Sequence, residues 1–161
     1  MRRVIAASVV LLLLTPCAGR LTAQPGSNTV RIDLPPAVLV QIVDVSAAEV
    51  SSSTARVSFN QAFLASGQAL RISVRADSGL VLPNGGIMPA SAVRWTTSQV
   101  NNGLGINGAL HTGVFAPVYE SHAGSRAGRV DLTFHLTLPP GITRAGTAQM
   151  ILRWKLEAIT P

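Results

Sequence analysis

Two stretches near the end of the chain alternate between apolar and polar residues with a period of two. From Val130 to Leu138 every even position is apolar and every odd position is polar. From Ala148 to Leu156 every even position is again apolar. Because successive side chains along a β-strand point to opposite faces, each stretch is predicted to be a strand with one face toward a core.

The same two stretches follow one another in the chain, so the sequence raises the question of whether they pair. A hairpin with Leu138 opposite Ala148 would put both apolar sets on one face and bring Asp131 opposite Lys155 on the exposed face. The connection, residues 139–147, is long for a hairpin. The alternative is therefore an arch that carries the chain from one sheet to another.

Shorter alternating or apolar runs precede these strands and are separated by turn residues such as Ser78-Gly79 and Asn84-Gly85-Gly86. The runs are Thr29–Leu34, Val38–Val45, Thr54–Phe59, Ala69–Asp77, Ala92–Thr97 and Val114–Tyr119. Residues 100–113 are rich in Asn and Gly and are expected to form a loop or a weak edge hairpin. Seven to nine short strands without a helix predict an all-β, antiparallel sandwich of the immunoglobulin-like type. A small closed barrel is the alternative fold.

The first 23 residues have the pattern of an export signal. Arg2 and Arg3 precede an apolar run that ends before Pro16, and small residues follow up to Ala23. This run is too short to span a bilayer, which takes roughly 20 apolar residues. We therefore expect residues 1–23 to be a cleaved signal peptide, with Gly19 as a second cleavage point, and residues 24–161 to be one secreted or periplasmic domain.

Cys17 is the one cysteine of the chain and lies inside this leader. The residues before it resemble a bacterial lipoprotein signal, but Pro16 stands where that motif has a small residue. We expect the cysteine to be discarded with the leader rather than lipidated. The remaining domain would then fold without a disulfide.

The chain's net charge of +6 overstates its affinity for polyanions. Loss of residues 1–23 would remove three arginines and no acidic residue, which leaves a net charge of +3. The remaining arginines are scattered along strands without a basic cluster or interleaved aromatic residues. The sequence therefore predicts no nucleic-acid partner and no membrane span in the mature domain.

Motifs for catalysis or for a cofactor are missing from the sequence. There is no G-x-S-x-G nucleophile elbow, and the glycines of residues 102–108 lack the helix and the Lys-Ser/Thr of a phosphate-binding loop. His111, His122 and Glu120 match no metal-binding spacing, and His135 is expected to face water from the polar side of its strand. We predict a non-enzymatic protein without metal or cofactor.

One weak ligand site can be assembled from the Asn/Gly-rich segment and a nearby tryptophan. Its members would be Trp95, Asn101, Asn102, Asn107 and His111. An exposed indole can stack on a sugar ring, and amides can bind its hydroxyl groups. This site would make the protein a carbohydrate-binding or other ligand-binding module. The alternative for Trp95 is core packing, because it shares a strand face with Val93.

The closing stretch, Gly146 to Leu156, and the early strand after the leader resemble exported bacterial β-sandwich proteins of the pilin-like and spore-coat-like type. Ala148 stands where that pattern has an aromatic residue, and the cysteine pair of many pilins is missing. The resemblance implies a structural, adhesive or assembly role at the bacterial envelope. It also implies that Thr29–Leu34 could pair with a second copy or with another envelope protein. The alternative is that this strand completes its own sheet.

Overall fold

The fold is a sandwich of two antiparallel β-sheets, seen in a computed structural model that describes residues 31–60, 62 and 64–161. The expected signal peptide, residues 1–23, and its cysteine lie outside these residues. The described part contains thirteen strands and one 3-10 turn, Ala90–Ala92. The strands are β1 (Arg31–Asp33), β2 (Ala37–Ile42), β3 (Glu49–Ser51), β4 (Ala55–Asn60), β5 (Ala69–Ala76), β6 (Leu80–Val81), β7 (Ile87–Met88), β8 (Val93–Asn101), β9 (Gly103–Gly105), β10 (Gly108–Ala109), β11 (Ala116–Ser121), β12 (Gly128–Thr137) and β13 (Gly146–Ile159).

Each sheet is organised around one long strand. The first sheet has the order β1-β4-β12-β8-β10, with β3 also paired to β12. The second sheet has the order β7-β6-β13-β5-β11-β9, with β2 also paired to β13. The all-β sandwich predicted from the alternation is therefore confirmed. The strand count exceeds the predicted seven to nine because several strands of two or three residues lie in segments that the sequence marks as turns.

The predicted hairpin between the last two strands is wrong. β12 lies in the first sheet and β13 in the second, so Asp131 pairs across the sheet with Arg56 rather than with Lys155. The connection between them contributes Leu138 and Ile142 to the core, with 8% and 7% of their surfaces exposed. Because β12 and β13 lie in different sheets, the chain arches between the sheets here, as in the alternative interpretation.

The core lies between the sheets and takes its residues from the predicted apolar faces. Trp95 of β8 is paired with Phe134 of β12, and both are 1% exposed. Tyr119 of β11 approaches Phe59 of β4 from the opposite sheet, with ring centroids 6.0 Å apart. The Tyr119 hydroxyl donates to the carbonyl oxygen of Asn101 at 2.8 Å, and burial raises the pKa of this phenol to about 12. This buried hydroxyl is thus satisfied between the sheets.

The segment from 100 to 113 was expected to be a loop or edge hairpin and instead crosses between the sheets. β10 pairs with β8 in the first sheet, while β9 pairs with β11 in the second. The β8 strand bulges where two residues oppose one residue of β12, and Gln99 there has a φ of 49°. A bulge increases local twist and bends a strand, which suits a chain leaving its sheet.

Candidate functional site

A groove on the outer face of the first sheet brings together a carboxylate, a guanidinium, a hydroxyl and an imidazole. Its volume is about 650 Å³, and it is lined by Glu49 of β3, Arg94 and Thr96 of β8, and His135 of β12. The strand register explains the grouping, since His135 is the cross-strand partner of both Ser51 and Arg94. Alternation along the three strands turns all of these side chains to the same face.

His135 is held by three polar neighbours rather than meeting only water, which corrects the expectation from the sequence. Its Nδ1 atom lies 2.9 Å from Ser51 Oγ and 3.3 Å from Glu49 Oε1. Its Nε2 atom lies 3.0 Å from Thr96 Oγ1. A hydroxyl, an imidazole and a carboxylate in this sequence have the connectivity of a nucleophile, a base and an orienting acid.

The surroundings of Thr96 do not complete such a reaction site. Acyl transfer also needs donors placed for the developing oxyanion. The amide of Thr97 donates to Asn107 Oδ1 at 2.8 Å, and Thr96 is paired with Thr133 in the sheet. These two neighbouring backbone donors are therefore already used.

The wall of this groove includes Trp95, but its indole is part of the core. Trp95 is 1% exposed, and its Nε1 atom donates to the carbonyl oxygen of Ile106 at 2.7 Å. Gly108 covers the ring so closely that a Cβ atom there would lie 2.6 Å from the indole. The core-packing interpretation of Trp95 is confirmed, and the ring offers no open face for a sugar.

The five predicted ligand residues do not converge. Trp95 and Asn107 line the groove beside His135, whereas Asn101 lines a second groove with Arg31 and Arg129. His111 lines a third groove next to the 3-10 turn. Asn102 has a φ of 55° and donates through Nδ2 to the carbonyl oxygen of Ala127 at 2.9 Å, so it stabilises the turn after β8.

A second candidate feature is the half-open edge of β13. The Ile151 carbonyl accepts from the Asp77 amide at 2.9 Å on one side, and the Leu152 amide donates to the Pro36 carbonyl at 2.9 Å on the other. Backbone groups of successive strand residues point to opposite sides. Odd-numbered residues of β13 therefore face β5, and even-numbered residues face the side occupied by β2.

The strand β2 reaches only as far as Ile151 along this side. Beyond the Leu152–Pro36 bond, no strand among residues 31–60, 62 and 64–161 pairs there. The amide and carbonyl groups of Trp154, Leu156 and Ala158 point to that side. The Trp154 indole donates to the Pro35 carbonyl at 2.7 Å and closes the corner where β2 ends.

Ion pairs also fix neighbouring strands to each other. Arg56 makes a two-pronged bond to Asp131, at 2.8 and 3.0 Å, and these hydrogen bonds hold the pKa of that carboxyl below its usual range. Arg153 binds Asp77 in the same way, with both hydrogen bonds at 2.9 Å, and these bonds lower the pKa of the Asp77 carboxyl. These pairs are internal to the sheets and serve stability.

Within the described ranges, no three His, Cys, Asp or Glu side chains are grouped so that they could hold a metal ion. The same ranges contain no helix with the length and apolar character needed to cross a membrane.

Comparisons of the chain with protein-family models, with curated proteins and with solved structures find no match.

Proposed function

We propose that the chain is an exported, non-catalytic β-sandwich with a structural or assembly role at the bacterial envelope, acting through pairing of sheet edges. The leader pattern of residues 1–23 supports export. The observation that carries the assembly role is the half-open edge of β13. An unpaired strand edge presents a row of amide and carbonyl groups and is a ready template for another strand.

The edge of β13 supports this role better than the N-terminal strand does. β1 pairs with β4 over Arg31–Asp33, so it already belongs to its own sheet. Donating it to another subunit would require these bonds to break. We therefore expect deletion of residues 24–34 to destabilise the fold, rather than to leave a folded monomer that has lost its assembly.

Expression of the full chain in a bacterial host, followed by fractionation and sedimentation, tests the proposal. We expect the product outside the cytoplasm, shortened at its N-terminus, with an average mass that rises with concentration. A full-length product in the cytoplasm would contradict export. A constant monomer mass at every concentration would contradict assembly.

A ligand-binding module is the second candidate, and the groove around His135 favours it. Glu49, Arg94, Thr96 and His135 offer a carboxylate, a guanidinium, a hydroxyl and an imidazole to one polar molecule, such as a glycan. A glycan array with wild-type protein and a His135→Ala variant tests this function. Signals lost in that variant but kept in a His122→Ala control would support it, and an array without signals would count against it.

A further inference from the structure

The open half of β13 carries a charge pattern that is complementary to itself. Lys155 and Glu157 point to the outer face, where Lys155 Nζ lies 2.8 Å from Glu157 Oε1. Trp154 and Leu156 point to the inner face and are only partly buried. Beyond Leu152, where no described strand pairs on this side, the outer face thus shows Lys155, Glu157 and the Asp77-bound Arg153, and the inner face an incompletely covered apolar surface.

Of the three antiparallel registers between two copies centred on Lys155, Leu156 and Glu157, only one opposes unlike charges without also opposing like charges. Centring the two-fold axis on Lys155 would oppose two lysines, and centring it on Glu157 would oppose two glutamates. The register centred on Lys155 also places Arg153 opposite Glu157. Centring the axis on Leu156 places Lys155 of each copy opposite Glu157 of the other. Directly opposed residues on one face of an antiparallel pair have Cβ atoms roughly 4.5–5.5 Å apart, so these charges would be direct neighbours.

The backbone groups agree with the same register. Trp154, Leu156 and Ala158 are the residues whose amide and carbonyl groups point to the open side. In the register centred on Leu156, Trp154 faces Ala158 of the other copy and Leu156 faces itself. Each such pair exchanges two main-chain hydrogen bonds. On the inner face the side chains that meet are then all apolar.

We propose that two copies of this chain associate through Arg153–Ile159 as an antiparallel strand pair centred on Leu156. The second sheets of the two copies form one continuous sheet across a two-fold axis, the commonest symmetry of soluble homo-oligomers. This inference rests on the proposed assembly role and names its partner, a second copy, and its contact surface. The paired Lys155 and Glu157 side chains of both copies form a four-charge cluster on the outer face.

Charge reversal with mixing tests the register. Lys155→Glu alone opposes glutamate to glutamate, and Glu157→Lys alone opposes lysine to lysine, so each variant is expected to dimerise roughly tenfold or more weakly than wild type. Mixed together, the two variants again oppose unlike charges. We expect a heterodimer of wild-type affinity, detected by sedimentation of one fluorescently labelled variant titrated with the other.

Two controls separate the interface from its alternatives. Gln149→Lys changes the outer face of β13 where β2 already covers the edge, and it is expected to leave association unchanged. The doubly reversed Lys155→Glu, Glu157→Lys chain is expected to dimerise like wild type. Thermal unfolding of each variant shows whether it is folded before its association is measured.

Association of the wild type that is unaffected by either single reversal would overturn this interface while leaving the assembly role intact. A wild type that stays monomeric at every concentration would overturn both. Dimers that appear only after residues 24–30 are deleted would also overturn the proposal, because the chain's own N-terminal segment would then be the occupant of the edge.

Discussion

The two long strands β12 and β13 have similar sequence patterns but different neighbours. From Arg129 to Leu136, β12 is bounded by β8 on one side and by β4 and β3 on the other. Among the described residues, β13 has neighbours on both sides only up to Leu152, and its remaining half pairs with β5 alone. The same alternation of apolar and polar residues therefore builds a closed central strand in one sheet and a half-open strand in the other.

This difference teaches that burial of an alternating strand depends on its lateral neighbours as well as on the facing sheet. Phe134, in the middle of β12, is 1% exposed. Trp154, in the open half of β13, is only partly buried, although it also points toward the core. A strand without a second neighbour leaves one side of each inward residue uncovered.

Truncation of these two aromatic residues is expected to give the largest effects. Phe134→Ala should lower the free energy of unfolding by about 3–5 kcal/mol, because a fully buried ring is lost and a cavity remains. Trp154→Ala should cost less, about 2–3 kcal/mol, because part of that side chain is already exposed to solvent in the folded protein. Urea unfolding of both variants measures the difference. Equal losses would show that the two strands are buried alike.

Adding a methyl group at the edge of the first sheet should have a smaller effect. A Cβ atom at Gly108 would lie 2.6 Å from the Trp95 ring, so Gly108→Ala should destabilise the protein by about 1–3 kcal/mol through overpacking. A Cβ atom added at Gly113 would contact no other part of the protein within 4 Å. Gly113→Ala should therefore change stability by less than about 0.5 kcal/mol. If Gly108→Ala and Gly113→Ala have the same unfolding midpoint, then Gly108 is not in close contact with the Trp95 indole.

The two arginine–carboxylate pairs predict a difference in acid sensitivity. Hydrogen bonding to arginine lowers the pKa of both Asp131 and Asp77, so each pair stabilises the fold above the unfolded pKa, about 3.9. That stability is lost as the pH falls through the lowered folded-state pKa. The Asp131 side chain is 8% exposed and that of Asp77 is 34% exposed.

Solvent screens the Asp77 pair more strongly, because that carboxylate is more exposed. Wild type should therefore lose more stability than Asp131→Asn between neutral and acidic pH, and the corresponding difference for Asp77→Asn should be smaller. Unfolding midpoints in urea, measured for wild type and both variants across that pH range, check this order. A larger effect at Asp77 would contradict the burial of the β12 pair.

The sequence could predict which side chains point inward but not which strands are neighbours. The apolar faces of β12 and β13 follow directly from residue alternation, and so does the shared inward face of Val93 and Trp95. Strand pairing is a non-local property, because alternation is the same whichever strand lies alongside. The predicted hairpin failed for this reason, and with it the expected pairing of Asp131 with Lys155.

The candidate sites were harder to predict for the same reason. The contacts of His135 come from β3 and β8, which are distant in sequence, so its single polar position gave no sign of a cluster. Asn101, Asn102 and Asn107 are close in sequence, yet the chain crosses between sheets there and separates them. Within β13, the charges of Lys155 and Glu157 were visible, but their significance depends on where β2 ends.

Amide hydrogen exchange along β13 tests the half-open edge most directly. In dilute protein we predict slow exchange at Arg153, Lys155 and Glu157, which face β5, and fast exchange at Leu156 and Ala158, which face the open side. At high concentration the two fast amides should become protected. Uniformly slow exchange from 153 to 159 in dilute protein would contradict an open edge, because a neighbouring strand would already be in place.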